Sequence, residues 1–205
     1  MRIVVFISGR GSNLRALLEH QENYTICHVI SNRHQAAGLS IAQEYRVPTT
    51  VISWHDGAKA EAQALTLLND IKPDLIVLAG FMRVLSADFV TKFSHKIINI
   101  HPSLLPLYPG LNTHQRALND QQIKHGATVH FVDQNLDQGH RISQCHIRIG
   151  PEDTAETLAA RLLSKEHKLL TTTVDKIATG QIYWQDKHLY YNNQVITQPL
   201  VWPEI

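Results

Sequence analysis

Residues 2–8, RIVVFIS, are apolar with almost no alternation, the pattern of a strand covered on both faces. A Gly-Arg-Gly turn follows at 9–11, Ser12 and Asn13 offer N-cap oxygens, and Leu14, Leu17 and Leu18 recur at helical spacing. The alternation then repeats. A strand over 25–31 leads to a helix over 35–45 that Pro48 stops, then a short strand over 49–52 and an Ala/Leu-rich helix over 58–71. Pro73 and Asp74 open a strand over 75–79, Ser86 caps a further helix, and 96–100 runs as a strand into His101-Pro102. This β-α-β-α order predicts an α/β fold with a mostly parallel twisted sheet and helices on both faces.

Beyond His101 the pattern changes. Pro102, Pro106, Pro109 and Gly110 make a rigid loop, followed by a helix over 112–125. Strands over 127–133 and 141–149 are joined through the turn Asp137-Gln138-Gly139. A long helix runs from 154 to about 176, with Asp153 and Glu156 at capping-box spacing. The tail over 180–205 is strand-like and carries Trp184, Tyr190, Tyr191 and Trp202. No internal repeat divides the chain, so a single domain over 1–205 with a β-rich tail is expected.

Composition narrows the partners. The 205 residues are 43% hydrophobic and 18% charged, enough apolar content for a sizeable core. Nineteen Lys and Arg against eighteen Asp and Glu leave +1, so no global field recruits nucleic acid or an anionic membrane. No apolar run approaches the roughly twenty residues of a membrane span, and the opening run is too short for a signal-peptide core. A cytoplasmic protein is expected. Cys27 and Cys145 do not make a disulfide framework or a cysteine zinc site. Thirteen histidines are scattered without an HExxH or similar spacing, so no metal is expected.

Two places carry candidate chemistry. The strand-turn-helix at 9–13 can present backbone N–H groups and a helix dipole to an anion. Leu14 stands where a dinucleotide fingerprint has its third Gly, and no Lys-Ser/Thr pair makes a P-loop. A single phosphate on a small molecule and a plain capped turn are equal readings of this turn alone. Asn99 and His101, two apart at a strand's end, share a face, where an amide and an imidazole can stabilise an oxyanion and move a proton. For an isolated Asn-x-His, a packed strand end is the default.

SGRGSN, LAGFMR, NIHPSLLP, SLLPLYPGLNTHQRAL and GATVHFVD together resemble the folate-dependent phosphoribosylglycinamide formyltransferases, from Met1 to about Thr172. NIHPSLLP marks the wider formyltransferase family, while the phosphate turn and Glu166-His167 select this branch. The resemblance implies a Rossmann-like formyltransferase fold, 10-formyltetrahydrofolate as co-substrate and glycinamide ribonucleotide as acceptor. It implies catalytic roles for Asn99, His101 and Asp137. Gly11, Ser12 and Asn13 match the binders of the nucleotide's phosphate, and Glu166 the carboxylate near its glycinamide and ribose. Met82, Arg83, Val84 and Leu85 match the backbone segment that reads the pterin ring, with Asn99 also on the folate side and Phe89, Ile97 and Val132 as its apolar wall. Without the resemblance, Asp137 reads as a turn residue, Glu166 as a solvated helix face, and Met82, Val84 and Leu85 as core. An ionised Asp137 near His101 is expected to raise the imidazole pKa.

The chain also departs from its likenesses. His140-Arg141 stands where relatives carry Pro or Gln and an aliphatic residue, and Leu170-Thr171 replaces Tyr-Pro. An Arg that contacts folate in some relatives is matched only by Gly57 or Ala58, with Lys59 beside them. The rival readings are a formyl-folate hydrolase and a nucleotide-binding module without chemistry. Oligomeric state has no signature in the sequence.

Overall fold

β1 (Arg2–Ile7) is buried at five of its six positions, as its unbroken apolar run predicts. Around it, in a computed structural model that describes residues 1–202, the chain falls into two units, Met1–Asn99 and Ile100–Ile205.

In the first unit, β1 is followed by α1 (Ser12–Glu19), β2 (Thr25–Ser31), α2 (Ala37–Glu44), β3 (Thr49–Val51), α3 (Gly57–Ile71), β4 (Leu75–Leu78), α4 (Ala87–Lys92) and β5 (Ile97–His101), which continues past Asn99. The strands are parallel, in the order β5-β4-β1-β2-β3. The chain steps outward from β1 to β2 and β3, then returns to β4 on the other side of β1. α1 and α2 pack against each other, and the right-handed rule for parallel crossovers assigns α3 to the opposite face. The carboxyl ends of β1 and β4 therefore flank a topological switch point, where open α/β sheets hold their ligands. Register Phe6↔Leu78 and Ile7↔Ser31 fixes which residues reach that edge together.

Local signals set most boundaries. Ser86 caps α4 by accepting the Phe89 N–H, and Asp56 caps α3 by accepting that of Lys59. The start of α1 differs from expectation. Its cap is Gly11 at φ +77°, with no side-chain cap, and Ser12 and Asn13 lie inside the helix. The left-handed backbone, which glycine adopts without penalty, turns the chain in place of a capping side chain.

In the second unit the chain runs through α5 (Thr113–Asn119), β6 (Lys124–Phe131), β7 (Arg141–Arg148), α6 (Ala155–Ala178), β8 (Ile182–Gln185), β9 (His188–Tyr191), β10 (Gln194–Ile196) and β11 (Leu200–Val201). β6 and β7 pair antiparallel, β11 pairs parallel with β7 on its outer side, and β8, β9 and β10 form a separate antiparallel sheet. The helix expected over 112–125 ends at Asn119. Gln121 takes φ +51°, and residues 124–126 already belong to β6, where a Cβ on Gly126 would meet the Cys145 carbonyl oxygen at 2.0 Å. That close pairing, a long-range contact, outweighs local helical pattern. α6 buries Leu158, Leu162, Glu166, Leu169, Leu170, Thr173 and Val174 along one face. Its capping box is Thr154 with Thr157, not Asp153 with Glu156; Asp153 instead accepts the Gly150 N–H and pairs with Arg161. The tail is β-rich as expected through Trp202, and 203–205 lie outside the described residues. Among the described residues no helix is long and apolar enough to cross a membrane.

Candidate active site

The 9–13 turn is held by close backbone packing. Gly38 N–H donates to the Gly9 carbonyl at 3.1 Å, and a Cβ on Gly11 would lie 2.5 Å from Gly38 Cα. Residues 11–13 open α1 with no side chain capping its first amides. Those amides, at the positive end of an uncapped helix, suit an anion. Asn13 Oδ1 is buried without a hydrogen-bond partner among the described residues.

At the end of β4 the chain passes through Gly80 at φ +74° into 81–85. Phe81 is clamped edge-on by Phe6 and Trp54, with ring centroids 5.3 and 5.1 Å away. Met82 and Val84 are 59% and 69% exposed and Arg83 is exposed, while Leu85 is buried. A core role for Met82 and Val84 is thereby excluded. Phe89 and Ile97 are buried.

The second unit holds the titratable cluster. His101, at the end of β5, and Asp137 are both nearly enclosed, with His101 Nδ1 3.4 Å from Asp137 Oδ2. His101 Nε2 lies 2.8 Å from the Tyr108 carbonyl oxygen, an acceptor, so Nε2 carries the proton. Asp137 sits at φ +55°, a left-handed conformation Asp tolerates, and Oδ2 also accepts the Gly110 N–H at 2.8 Å. Its Oδ1 lies 3.6 Å from His130 Nε2, while His130 Nδ1–H donates to the Phe131 carbonyl. A Cβ on Gly139 would stand 1.8 Å from the Phe131 carbonyl oxygen, so the turn that aims Asp137 requires glycine there.

The expected rise in the His101 pKa is not what this environment produces. Burial, the largest influence, lowers it; the Tyr108 carbonyl and Asp137 pull upward, and His130 and Arg116 push down again. The net value lies below that of a free imidazole. Burial pushes the Asp137 carboxyl up, but the His130 hydrogen bond, the Gly110 amide and the nearby histidine charges bring it below its ordinary value. His101 is thus mostly neutral at pH 7 and Asp137 ionised.

The loop after His101 is fixed from β6 and β7. Thr128 Oγ1 donates to the Ser103 carbonyl and accepts the Leu105 N–H, and the Leu105 carbonyl accepts from Gln144 and from Arg141. The unusual Arg141 is therefore a loop anchor, and His140 meets Trp184 edge-on at 5.1 Å. Both border a cavity of about 440 Å³ beside the 137–139 turn. Glu166 is only 8% exposed on the buried face of α6, so the solvated-face reading does not hold. Val132, just past β6, is half-buried.

Each predicted residue is thus placed, and some neighbours of the His101–Asp137 pair had no signal in the sequence. Tyr108 and Gly110 act through backbone groups that any residue supplies, and His130 is one polar position in a buried strand. Asn99 and His101 occupy alternate positions of β5, whose pleat puts both side chains on one face. Among the described residues no group of three or more His, Cys, Asp or Glu side chains is arranged to hold a metal ion.

A sequence profile described as formyl transferase matches residues 1–174. The phosphoribosylglycinamide formyltransferase of Escherichia coli (strain K12) is 36% identical over 201 residues, covering 95% of each chain. The structure of the phosphoribosylglycinamide formyltransferase of Coxiella burnetii, in complex with CHES, matches with a TM-score of 0.94 at 38% identity, over 99% of each chain. A formyltetrahydrofolate deformylase from Pseudomonas syringae pv. tomato str. DC3000 matches with a TM-score of 0.86 at 25% identity, over 93% of this chain and 65% of its own.

Proposed function

The chain belongs to the formyl transferase family, and from that membership we propose that it transfers the formyl group of 10-formyltetrahydrofolate to the amino group of glycinamide ribonucleotide, in purine biosynthesis. The observation that carries this reading is the end-to-end likeness to phosphoribosylglycinamide formyltransferases, at 36% and 38% identity over nearly the whole of each chain. The deformylase shares less identity and extends well beyond this chain's match.

The amine nitrogen adds to the formyl carbon, and the carbonyl electron pair moves onto oxygen. The Asn99 amide donates to the resulting oxyanion. On substrate binding the neutral His101 ring gives up its Nε2 proton to solvent and takes one from solvent on Nδ1, where it is donated to Asp137 Oδ2. Nε2, released from the Tyr108 carbonyl, takes the proton the amine loses. The imidazolium so formed is stabilised by Asp137 and gives that proton to the folate nitrogen as the carbon–nitrogen bond to folate breaks. One proton leaves the amine and one reaches tetrahydrofolate, so the sum balances. The amides of 11–13 hold the nucleotide's phosphate, and Glu166 accepts from its glycinamide or ribose. Residues 82–85 present backbone groups to the pterin, with Phe89, Ile97 and Val132 as apolar wall.

The test is folate turnover by the purified protein with and without glycinamide ribonucleotide. Tetrahydrofolate formation that depends on the nucleotide supports the transferase. Formate release without any amine acceptor would instead make the protein a deformylase.

A further inference from the structure

Residues 82–85 are pinned at both ends by side chains from elsewhere in the first unit. At the entry, the Met82 N–H donates to Ser8 Oγ at 2.7 Å, and Ser8 is buried at the end of β1. At the exit, the Glu61 carboxylate on α3 accepts the Ser86 N–H at 2.7 Å and also the Ser86 hydroxyl. Between these pins Met82, Arg83 and Val84 face outward with no helix or strand to order their backbone. The Ser8 bond joins chain positions 74 apart, from the end of β1 to the end of β4, directly at the switch point.

We propose that Ser8 and Glu61 are positioning residues for the folate-reading segment: they touch no substrate, but fix the backbone that does. This rests on the reading of 82–85 as the folate segment. A stretch exposed at Met82, Arg83 and Val84 samples many backbone conformations without these bonds, and only a fraction aligns its amides with a ring system. The nucleotide turn has independent support from the Gly9–Gly38 bond and the Gly11–Gly38 contact. Loosening the segment therefore falls selectively on folate.

The experiment compares Ser8→Ala, Glu61→Ala and Glu61→Gln with wild type in steady-state kinetics against both substrates, thermal unfolding and amide exchange. Ser8→Ala is expected to raise the folate KM about tenfold, the worth of one lost hydrogen bond, with the nucleotide KM changed less than threefold. Its Met82 amide should lose exchange protection. Glu61→Ala should act likewise, and Glu61→Gln, which keeps a carbonyl acceptor, should recover most of the loss. An unchanged folate KM in both alanine variants, or both KM values rising together with a falling Tm, overturns the assignment. Wild type that forms no tetrahydrofolate overturns the function instead, and Met82 protection in Ser8→Ala, kept or lost, then decides the pin.

Discussion

Burial and charge act on His101 in opposite directions, and burial wins. With the pKa below 6.5 and the neutral ring as the active form, kcat/KM should rise with pH through an acid limb and be flat by neutral pH. Asp137→Asn removes an influence that raises the histidine pKa, so the limb should move to still lower pH. The plateau should fall about a hundredfold or more, because an amide beside Nδ1 favours the wrong tautomer. His101→Ala should cost at least as much, and the double variant no more than the worse single, since Asp137 works through His101. The pH profiles of kcat/KM for these four proteins decide. Fully additive losses with an unmoved limb would return Asp137 to a turn residue. The family resemblance carried by NIHPSLLP and its companion motifs is what points at Asn99, His101 and Asp137; by its own turn Asp137 reads only as a turn residue. The sign of the pKa shift was not legible, because it depends on how deeply the fold encloses the ring.

Glycine positions separate turn geometry from packing. At Gly11, φ is +77° and a Cβ would press on Gly38 Cα at 2.5 Å, whereas Gly9 has open space around it. Gly11→Ala should therefore cost about 2–4 kcal/mol of stability, from left-handed strain and backbone collision together. Gly9→Ala should stay within about 0.5 kcal/mol of wild type. Urea unfolding of both variants measures the contrast, and equal costs would mean that the turn is not held against α2. Because Gly11→Ala disturbs α1 and α2 together, its effect on the nucleotide KM is read best on protein shown to be folded. The same logic explains what local pattern could and could not supply. β2 is found where its apolar run placed it, because strand burial is written in the residues themselves. The end of α5 is not legible in local pattern, because it depends on Gly126 facing Cys145 across a strand pair, a relation between distant residues. Asp153 and Thr154 are equal capping candidates by residue type, and only the fold commits Asp153 to Gly150 and Arg161 and leaves Thr154 to cap α6.

The many histidines bear on the stability of the whole protein. His28, His95, His101, His114 and His125 all have pKa values lowered by burial, that of His125 to about 4. For each, the folded state resists a proton the unfolded chain accepts. The stability this represents is present above pH 6.5 and is lost as pH falls through the folded values. His125, enclosed and 3.0 Å from His114, accounts for on the order of 3 kcal/mol between pH 6.5 and 4. Urea midpoints should drop steadily from pH 7 to 4.5, and His125→Gln should flatten that slope even if it lowers the value at pH 7. A midpoint independent of pH over this range would contradict it. The outer strands have a different consequence. β3 has three residues and β11 two, so each leaves only a few backbone amides and carbonyls without a neighbour. A passing chain that tried to add itself there would gain too few bonds to stay. At these two borders the shortness of the strands itself protects the protein from edge-to-edge polymerisation.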